Sequence, residues 1–261
     1  MRVNTVRDII ASGRPVVNAW ISGDGSYAAE VLSHAGFDSV TLDAQHGMFG
    51  RDRLLPLLQA VSAGPAVPMV RPSRMDVAEI GWLLDAGAYG IIAPSVDTPQ
   101  LAQDLVAACL YPPHGRRSFG ASRGLLYGGT DYVERASDTV MPWAMIESRS
   151  AVEYLEGITA TPGLYGVYVG PNDLALDLGL APGNLITDQV ADIALTVMDR
   201  AHACGIAAGI FCRDGEEAAH WARAGFDLVT PGNDTSYLRS AAAQRLSLVR
   251  GSHETTSGGG Y

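Results

Sequence analysis

The sequence predicts an α/β fold, a (β/α)8 TIM barrel, and three observations predict it. A short phrase recurs where helical patterns give way to strand-like ones: His34-Ala35-Gly36-Phe37-Asp38-Ser39-Val40, Asp85-Ala86-Gly87-Ala88-Tyr89-Gly90-Ile91 and Arg223-Ala224-Gly225-Phe226-Asp227-Leu228-Val229. Glycine just past a helix supplies a left-handed C-cap, and the run after it starts a strand. Eight strand-like runs can be placed, at 16–21, 38–43, 67–71, 89–93, 139–146, 164–169, 207–211 and 227–231. Helical stretches separate them, which points to parallel strands with helical crossovers. A doubly wound open sheet is the alternative, but no Gly-x-Gly-x-x-Gly follows an early strand.

The connecting segments carry their own signals. Thr98-Pro99 reads as an N-cap with proline at the first helical position. Ser148 and Asp214 read as N-caps of helices running to about 159 and 224. The longest connection, about 110–138, carries Tyr111-Pro112-Pro113-His114-Gly115-Arg116-Arg117-Ser118-Phe119-Gly120. An unstructured loop of that length is usually a lid, a binding loop or an assembly surface. Residues 252–261 end in Ser257-Gly258-Gly259-Gly260-Tyr261 and read as a flexible tail on one barrel domain of residues 1–251.

Composition narrows the chemistry. The 261 residues, 47% hydrophobic and 18% charged, can bury a single large core without disulfides or metal staples. A net charge of −10 with no basic run sets nucleic-acid binding aside. All 18 basic residues are arginine and none is lysine. Schiff-base aldol chemistry, covalent pyridoxal-phosphate catalysis and P-loop phosphate binding all need a lysine amine, so they are excluded. Carbonyl chemistry here would have to stabilise charge with a metal or arginine. Cys109, Cys204 and Cys212 have no Cys-x-x-Cys spacing, which reads as a reducing, cytoplasmic setting. The N-terminus shows no apolar signal core, and no run reaches the roughly 18 apolar residues of a membrane span.

In such a barrel the chemistry sits where the strands stop. Those positions hold Asp43 and His46, Arg71, Glu147 and Asp173. Glu147 and Asp173 are one βα repeat apart, so they fall on neighbouring strands. Two carboxylates with open positions suit Mg²⁺ or Mn²⁺, which keep several waters; each could equally cap a helix. Asp43 beside His46 could orient the imidazole for proton transfer, or merely cap a turn. Arg71, closing an apolar strand, needs an anion: a substrate carboxylate, a developing enolate or a structural partner. Gly170-Pro171-Asn172-Asp173 leads into a helix N-terminus whose free N–H groups can hold a small anion. His34, His202 and His220 fall inside helices, and neither a Ser nucleophile elbow nor a zinc-spaced His cluster occurs.

Together these residues resemble the HpcH/HpaI aldolases, metal-dependent pyruvate aldolases of the phosphoenolpyruvate/pyruvate barrel superfamily. The matching pieces are Leu42-Asp43-Ala44-Gln45-His46-Gly47, Val70-Arg71-Pro72, Tyr111-Pro112-Pro113-His114-Gly115-Arg116-Arg117, Ile146-Glu147-Ser148 and Gly170-Pro171-Asn172-Asp173-Leu174-Ala175. The resemblance implies reversible cleavage of a 4-hydroxy-2-oxo acid to pyruvate and an aldehyde through a metal-stabilised enolate. It implies that Glu147 and Asp173 bind a divalent cation (Mg²⁺, Mn²⁺ or Co²⁺), that His46 with Asp43 moves protons, and that Arg71 steadies the pyruvate oxygen. Gly170, Pro171, Asn172 and Asp173 would receive the pyruvate carboxylate, with Trp20, Gln45 and Ser118 as further substrate contacts. It also implies a homo-hexamer, a trimer of dimers, with a helix exchanged between neighbours. Two positions depart from the family pattern: Gln45 stands where Glu is usual beside the histidine, and Met145 where Gln often precedes the metal glutamate. Rival readings are an oxaloacetate decarboxylase or acyl-CoA lyase on the same scaffold, or a non-catalytic ketoacid-binding barrel.

Overall fold

Eight short runs of β-branched and small apolar residues form parallel strands that close on themselves. The computed structural model describes residues 2–183 and 189–250. The strands are β1 (Val16–Ile21), β2 (Ser39–Asp43), β3 (Val67–Arg71), β4 (Gly90–Ala93), β5 (Met141–Ile146), β6 (Gly166–Val169), β7 (Ala207–Cys212) and β8 (Leu228–Pro231). They pair in sequence order, and β8 returns to β1 with Val16 opposite Leu228. That closure removes the open-sheet alternative and leaves a TIM barrel. The helices are α1 (Thr5–Ala11), α2 (Ser26–His34), α3 (Arg51–Ala63), α4 (Val77–Asp85), α5 (Pro99–Cys109), α6 (Ser122–Gly128), α7 (Tyr132–Thr139), α8 (Arg149–Glu153), α9 (Leu155–Thr159), α10 (Pro171–Asp177), α11 (Gln189–Ala203), α12 (Gly215–Ala224) and α13 (Asp234–Arg250).

The expected punctuation is present. Gly36, Gly87 and Gly225, one after each helix, have φ of +100°, +107° and +118°. L-residues with a Cβ rarely adopt that backbone, which is why glycine stands at each junction. Thr98 accepts from the Leu101 N–H with Pro99 behind it, and Asp214 accepts from the N–H groups of Glu216 and Glu217. Ser148 caps its helix through the Ala151 N–H. That helix does not run unbroken to 159, because it divides at Tyr154 into α8 and α9.

Alternation along each strand sorts side chains into two layers. Val40, Leu42, Val70, Ile91, Ala144, Ile146, Val167 and Ile210 face the helices and join the larger core cluster. Trp20, Met69, Trp143, Met145, Tyr168 and Leu228 fill the barrel interior. Large residues there face small ones in register, Met69 against Gly90 and Trp143 against Gly166.

The connection at 110–138 is not an unstructured loop: α6 and α7 occupy it. Glycines at 120, 124, 128 and 129 interrupt the apolar periodicity around α6, and α7 is only eight residues long, which hides both helices from a pattern reading. The segment leads from α5 into β5, so it lies at the N-terminal end of the barrel. Tyr132 is fully buried there and donates to the Leu84 carbonyl, while the Arg2 N–H donates to Gly128. Among the described residues no helix is long and apolar enough to cross a membrane. The tail expected at 252–261 lies outside the described residues.

Candidate active site

Strand register places the two central charges side by side. Asp43 ends β2 and Arg71 ends β3, and they are direct partners across the ladder. The Arg71 Nε and Nη2 donate to Asp43 Oδ1 and Oδ2 at 2.9 and 2.6 Å, a two-pronged pair. Trp20, from β1, donates its indole N–H to Asp43 Oδ2 at 3.1 Å. The backbone N–H groups of Gln45 and His46 donate to Oδ1 at 3.2 and 3.1 Å. Five N–H groups therefore converge on one carboxylate. Burial pushes the Asp43 pKa up, but the Arg71 charge and these hydrogen bonds outweigh it and hold the carboxyl below its usual range.

Asp43 holds the backbone of His46, and its strongest partner is Arg71. The imidazole itself stands on an exposed residue at the barrel mouth. Trp20, expected as a substrate contact, lies buried beneath the mouth. It is 2% exposed, stacked on Tyr168 at 5.9 Å and met edge-on by Phe211 at 5.5 Å, with the Arg71 guanidinium 4.9 Å from its ring centroid. It supports the Asp43–Arg71 pair from below. Under it, Tyr168 donates to Thr230 Oγ1 at 2.7 Å, and Asn18 ties Thr230, Ser39 and Thr41 together.

Glu147 follows β5, and Asp173 lies in the first turn of α10 after β6, the neighbouring strand. Glu147 is buried, and Asp173 is exposed at the mouth. Burial raises the Glu147 pKa; the Ser95 N–H opposes this, and the Asp173 charge adds to it. Arg71 also acts on Glu147, so the pair and the carboxylates share one electrostatic neighbourhood. Gly170 is required by close approach: a Cβ there would lie 2.8 Å from Glu147 Oε2 and 3.2 Å from Met145 Cε. Met145 is buried inside the barrel beneath this point. Pro171 is buried at the start of α10 and Asn172 is half-buried.

Ser118 does not join the cluster within this chain. It is exposed on the connection entering the N-terminal end of β5, whereas Glu147 follows the other end. A cavity of about 540 Å³ lies at that same N-terminal end, lined by Arg7, His114, Asp138 and Tyr165 among others, and shares no residue with the cluster. Sequence reasoning missed Ser95 and Asp97. The Ser95 N–H donates to Glu147 Oε1 at 2.6 Å, and Asp97 accepts from the Ser148 hydroxyl. The available signal was position, since both follow the fourth strand run.

Among the described residues no group of three or more His, Cys, Asp or Glu side chains is arranged to hold a metal. Glu147 and Asp173 would offer a cation two carboxylate ligands, and Mg²⁺ is commonly held by one or two carboxylates plus water and substrate. Their mutual repulsion and the burial of Glu147 are what a cation would relieve. Among the described residues Gln45 Oε1, beside His46, is buried without a hydrogen-bond partner, an acceptor available to a bound water. The residues fit such an ion.

The sequence profile of the HpcH/HpaI aldolase/citrate lyase family matches residues 17–241. A hydroxypyruvate/pyruvate aldolase of Rhizorhabdus wittichii RW1 is 42% identical over 251 residues, 95% of this chain and 99% of that one. A 4-hydroxy-2-oxo-heptane-1,7-dioate aldolase of Salmonella dublin is 34% identical, covering 98% of this chain and 97% of that one. The crystal structure of an HpcH/HpaI aldolase/citrate lyase family protein from Burkholderia cenocepacia J2315 superposes with a TM-score of 0.87 at 31% identity, over 95% of this chain and all of that one.

Proposed function

The chain belongs to the HpcH/HpaI aldolase/citrate lyase family, and on that premise we propose that it cleaves a 4-hydroxy-2-oxo acid reversibly to pyruvate and an aldehyde. It is a carbon–carbon lyase of the pyruvate-aldolase type. One observation carries the finer reading: in a chain without lysine, a buried Glu147 whose pKa is raised by burial and by Asp173 stands beside the Arg71–Asp43 pair.

Glu147 and Asp173 would hold the divalent cation, Mg²⁺, Mn²⁺ or Co²⁺. When bound, the ion supplies Lewis-acid polarisation of the 2-oxo group. The chain's own groups do the rest. His46 takes the 4-hydroxyl proton, directly or through a water. The C3–C4 bond breaks, the aldehyde departs, and the electron pair passes toward the 2-oxo oxygen. Arg71, held rigid by Asp43, sets its positive charge against that developing negative oxygen. Its Nε and Nη2 face Asp43, which leaves the Nη1 edge for substrate. After Gly170 and Pro171, the backbone N–H groups of Asn172 and Asp173 open α10 without helical acceptors and suit the pyruvate carboxylate. A proton returned to C3 completes pyruvate.

Assembly belongs to the same proposal. No residue of the 17-residue α13 is buried, and Leu238, Leu248 and Val249 are 72%, 81% and 86% exposed. Exchange of this helix between neighbours in a hexamer, a trimer of dimers, would cover those side chains.

The test is pyruvate release from a 4-hydroxy-2-oxo acid after chelator treatment, then with Mg²⁺, Mn²⁺ or Co²⁺ restored. Activity lost with the metal and recovered with it is the expected result. Turnover indifferent to complete metal removal would overturn the Glu147–Asp173 assignment. Folded protein active only on oxaloacetate, or only on an acyl-CoA, would replace the aldol reaction with that chemistry.

A further inference from the structure

Ser95 is the only non-glycine residue with positive φ among the described residues, at 54°. Such backbone is uncommon outside glycine, and it persists only where neighbours enforce it. Here they do so from both sides. Pro94 and Val96 are buried on either side of Ser95. Asp97 accepts from the Ser148 hydroxyl, and the Ser150 hydroxyl donates to the Asp97 carbonyl. Thr98 then caps α5. The loop between β4 and α5 is thus clamped onto the start of α8, the segment that follows Glu147 directly.

The clamped turn directs one backbone donor. The Ser95 N–H lies 2.6 Å from Glu147 Oε1, a short contact of the charge-assisted kind. The other oxygen, Oε2, is the one nearest the space a Cβ at Gly170 would fill, beside the helix start that carries Asp173. We propose that Ser95 is a positioning residue: its left-handed backbone commits Glu147 Oε1 to the protein, so that Glu147 meets the cation through Oε2 alone. This rests on the reading of Glu147 and Asp173 as cation ligands. Loss of a hydrogen bond that orients a liganding side chain in this way typically costs roughly 10–100-fold in metal affinity. The Ser95 side chain is not required, only the backbone shape it permits.

Three substitutions separate backbone from side chain. Ser95→Gly keeps the left-handed turn, Ser95→Ala removes the hydroxyl, and Ser95→Val disfavours the turn because a β-branched residue resists positive φ. Mn²⁺ binding to chelator-treated protein is measured by calorimetric titration, with the metal-free melting temperature taken alongside. Ser95→Gly and Ser95→Ala are expected to stay within about threefold of the parent, and Ser95→Val to bind roughly 10–100-fold more weakly. Asp97→Ala, which releases the clamp from Ser148, is expected to weaken Mn²⁺ in the same direction and serves if Ser95→Val does not fold. Parent-like affinity in both Ser95→Val and Asp97→Ala would overturn this inference alone. So would a Ser95→Gly as weak as Ser95→Val, since the hydroxyl would then be the active part. A parent protein that binds no Mn²⁺ would sink the cation reading itself, and this inference with it.

Discussion

Replacing Asp43 with asparagine should unsettle the barrel mouth more than any other neutral substitution there. The Asp43 and Arg71 side chains are 3% and 9% exposed, so neither charge can recover its hydration when the other is lost. Asparagine keeps one acceptor oxygen. Placed at Oδ1 it still serves Arg71 Nε and the Gln45 and His46 amides, but its NH₂ then meets Arg71 Nη2 and the Trp20 indole N–H. Two buried donors lose their acceptor at about 1–3 kcal/mol each. That agrees with the ~3–5 kcal/mol seen when one member of a buried ion pair is removed. For a domain of this size each kcal/mol lowers the melting temperature by roughly 2–4 °C, so Asp43→Asn should melt roughly 6–20 °C below the parent. The assay is thermal unfolding of the parent, Asp43→Asn, Arg71→Met and the double variant. Arg71→Met removes the stranded charge, so the double variant should recover part of the loss. The sign with pH follows from the depressed Asp43 pKa. Its contribution is complete above the unfolded value of about 4 and is lost as pH falls through the lower folded value. The gap between parent and Asp43→Asn should therefore narrow in acid. A melting point within 2 °C of the parent at neutral pH, or strict additivity in the double variant, would refute the account of Asp43 as the hub.

Other outcomes follow from the same geometry. Arg71→Lys keeps the charge but not the planar fork, and kcat/KM should fall about 10²–10³-fold without rescue by added metal. His46→Ala should lower cleavage about 10²–10⁴-fold while Mn²⁺ affinity, read by titration, stays at the parent value; equal loss of both would make His46 a ligand or a structural group. Gly170→Ala puts a methyl 2.8 Å from Glu147 Oε2 and 2.9 Å from Glu147 Cβ, so Mn²⁺ binding should weaken roughly 10–100-fold and the melting temperature should fall as well. Tyr168→Phe loses the bond to Thr230, which Asn18 still serves, and should cost about 1 kcal/mol, seen as a melting point lower by roughly 2–4 °C.

The long connection before β5 shows where sequence pattern stops informing. A helix of seven or eight residues leaves too few turns for its apolar face to repeat, and glycines interrupt α6 besides, so α6 and α7 escape a pattern reading. Their location was equally hidden, because which end of the barrel a segment covers depends on whether it precedes or follows a strand in the closed fold. Ser118 consequently sits away from the cluster it was expected to join. Ser95 illustrates the complementary case: nothing in Ala93-Pro94-Ser95-Val96 announces a left-handed serine, since the conformation is imposed by Ser148, Ser150 and the buried residues on either side.

The sequence by itself determined the eight strands, their order, the helix caps at Thr98, Ser148 and Asp214, the glycine junctions and the exclusion of lysine chemistry. These are local properties: burial of a strand and capping of a helix are written in neighbouring residues, and a missing residue type is missing everywhere. It also named Asp43, Arg71, Glu147 and Asp173 as ends of strands that would meet. Only the tertiary structure decided what each of them holds. Closure of the barrel set Asp43 opposite Arg71, laid Trp20 beneath the pair, and spent one Glu147 oxygen on the Ser95 amide. The partners of a carboxylate are whichever donors fall within about 3 Å of it. Here they come from positions up to 52 residues apart in the chain, joined by the packing of the whole barrel.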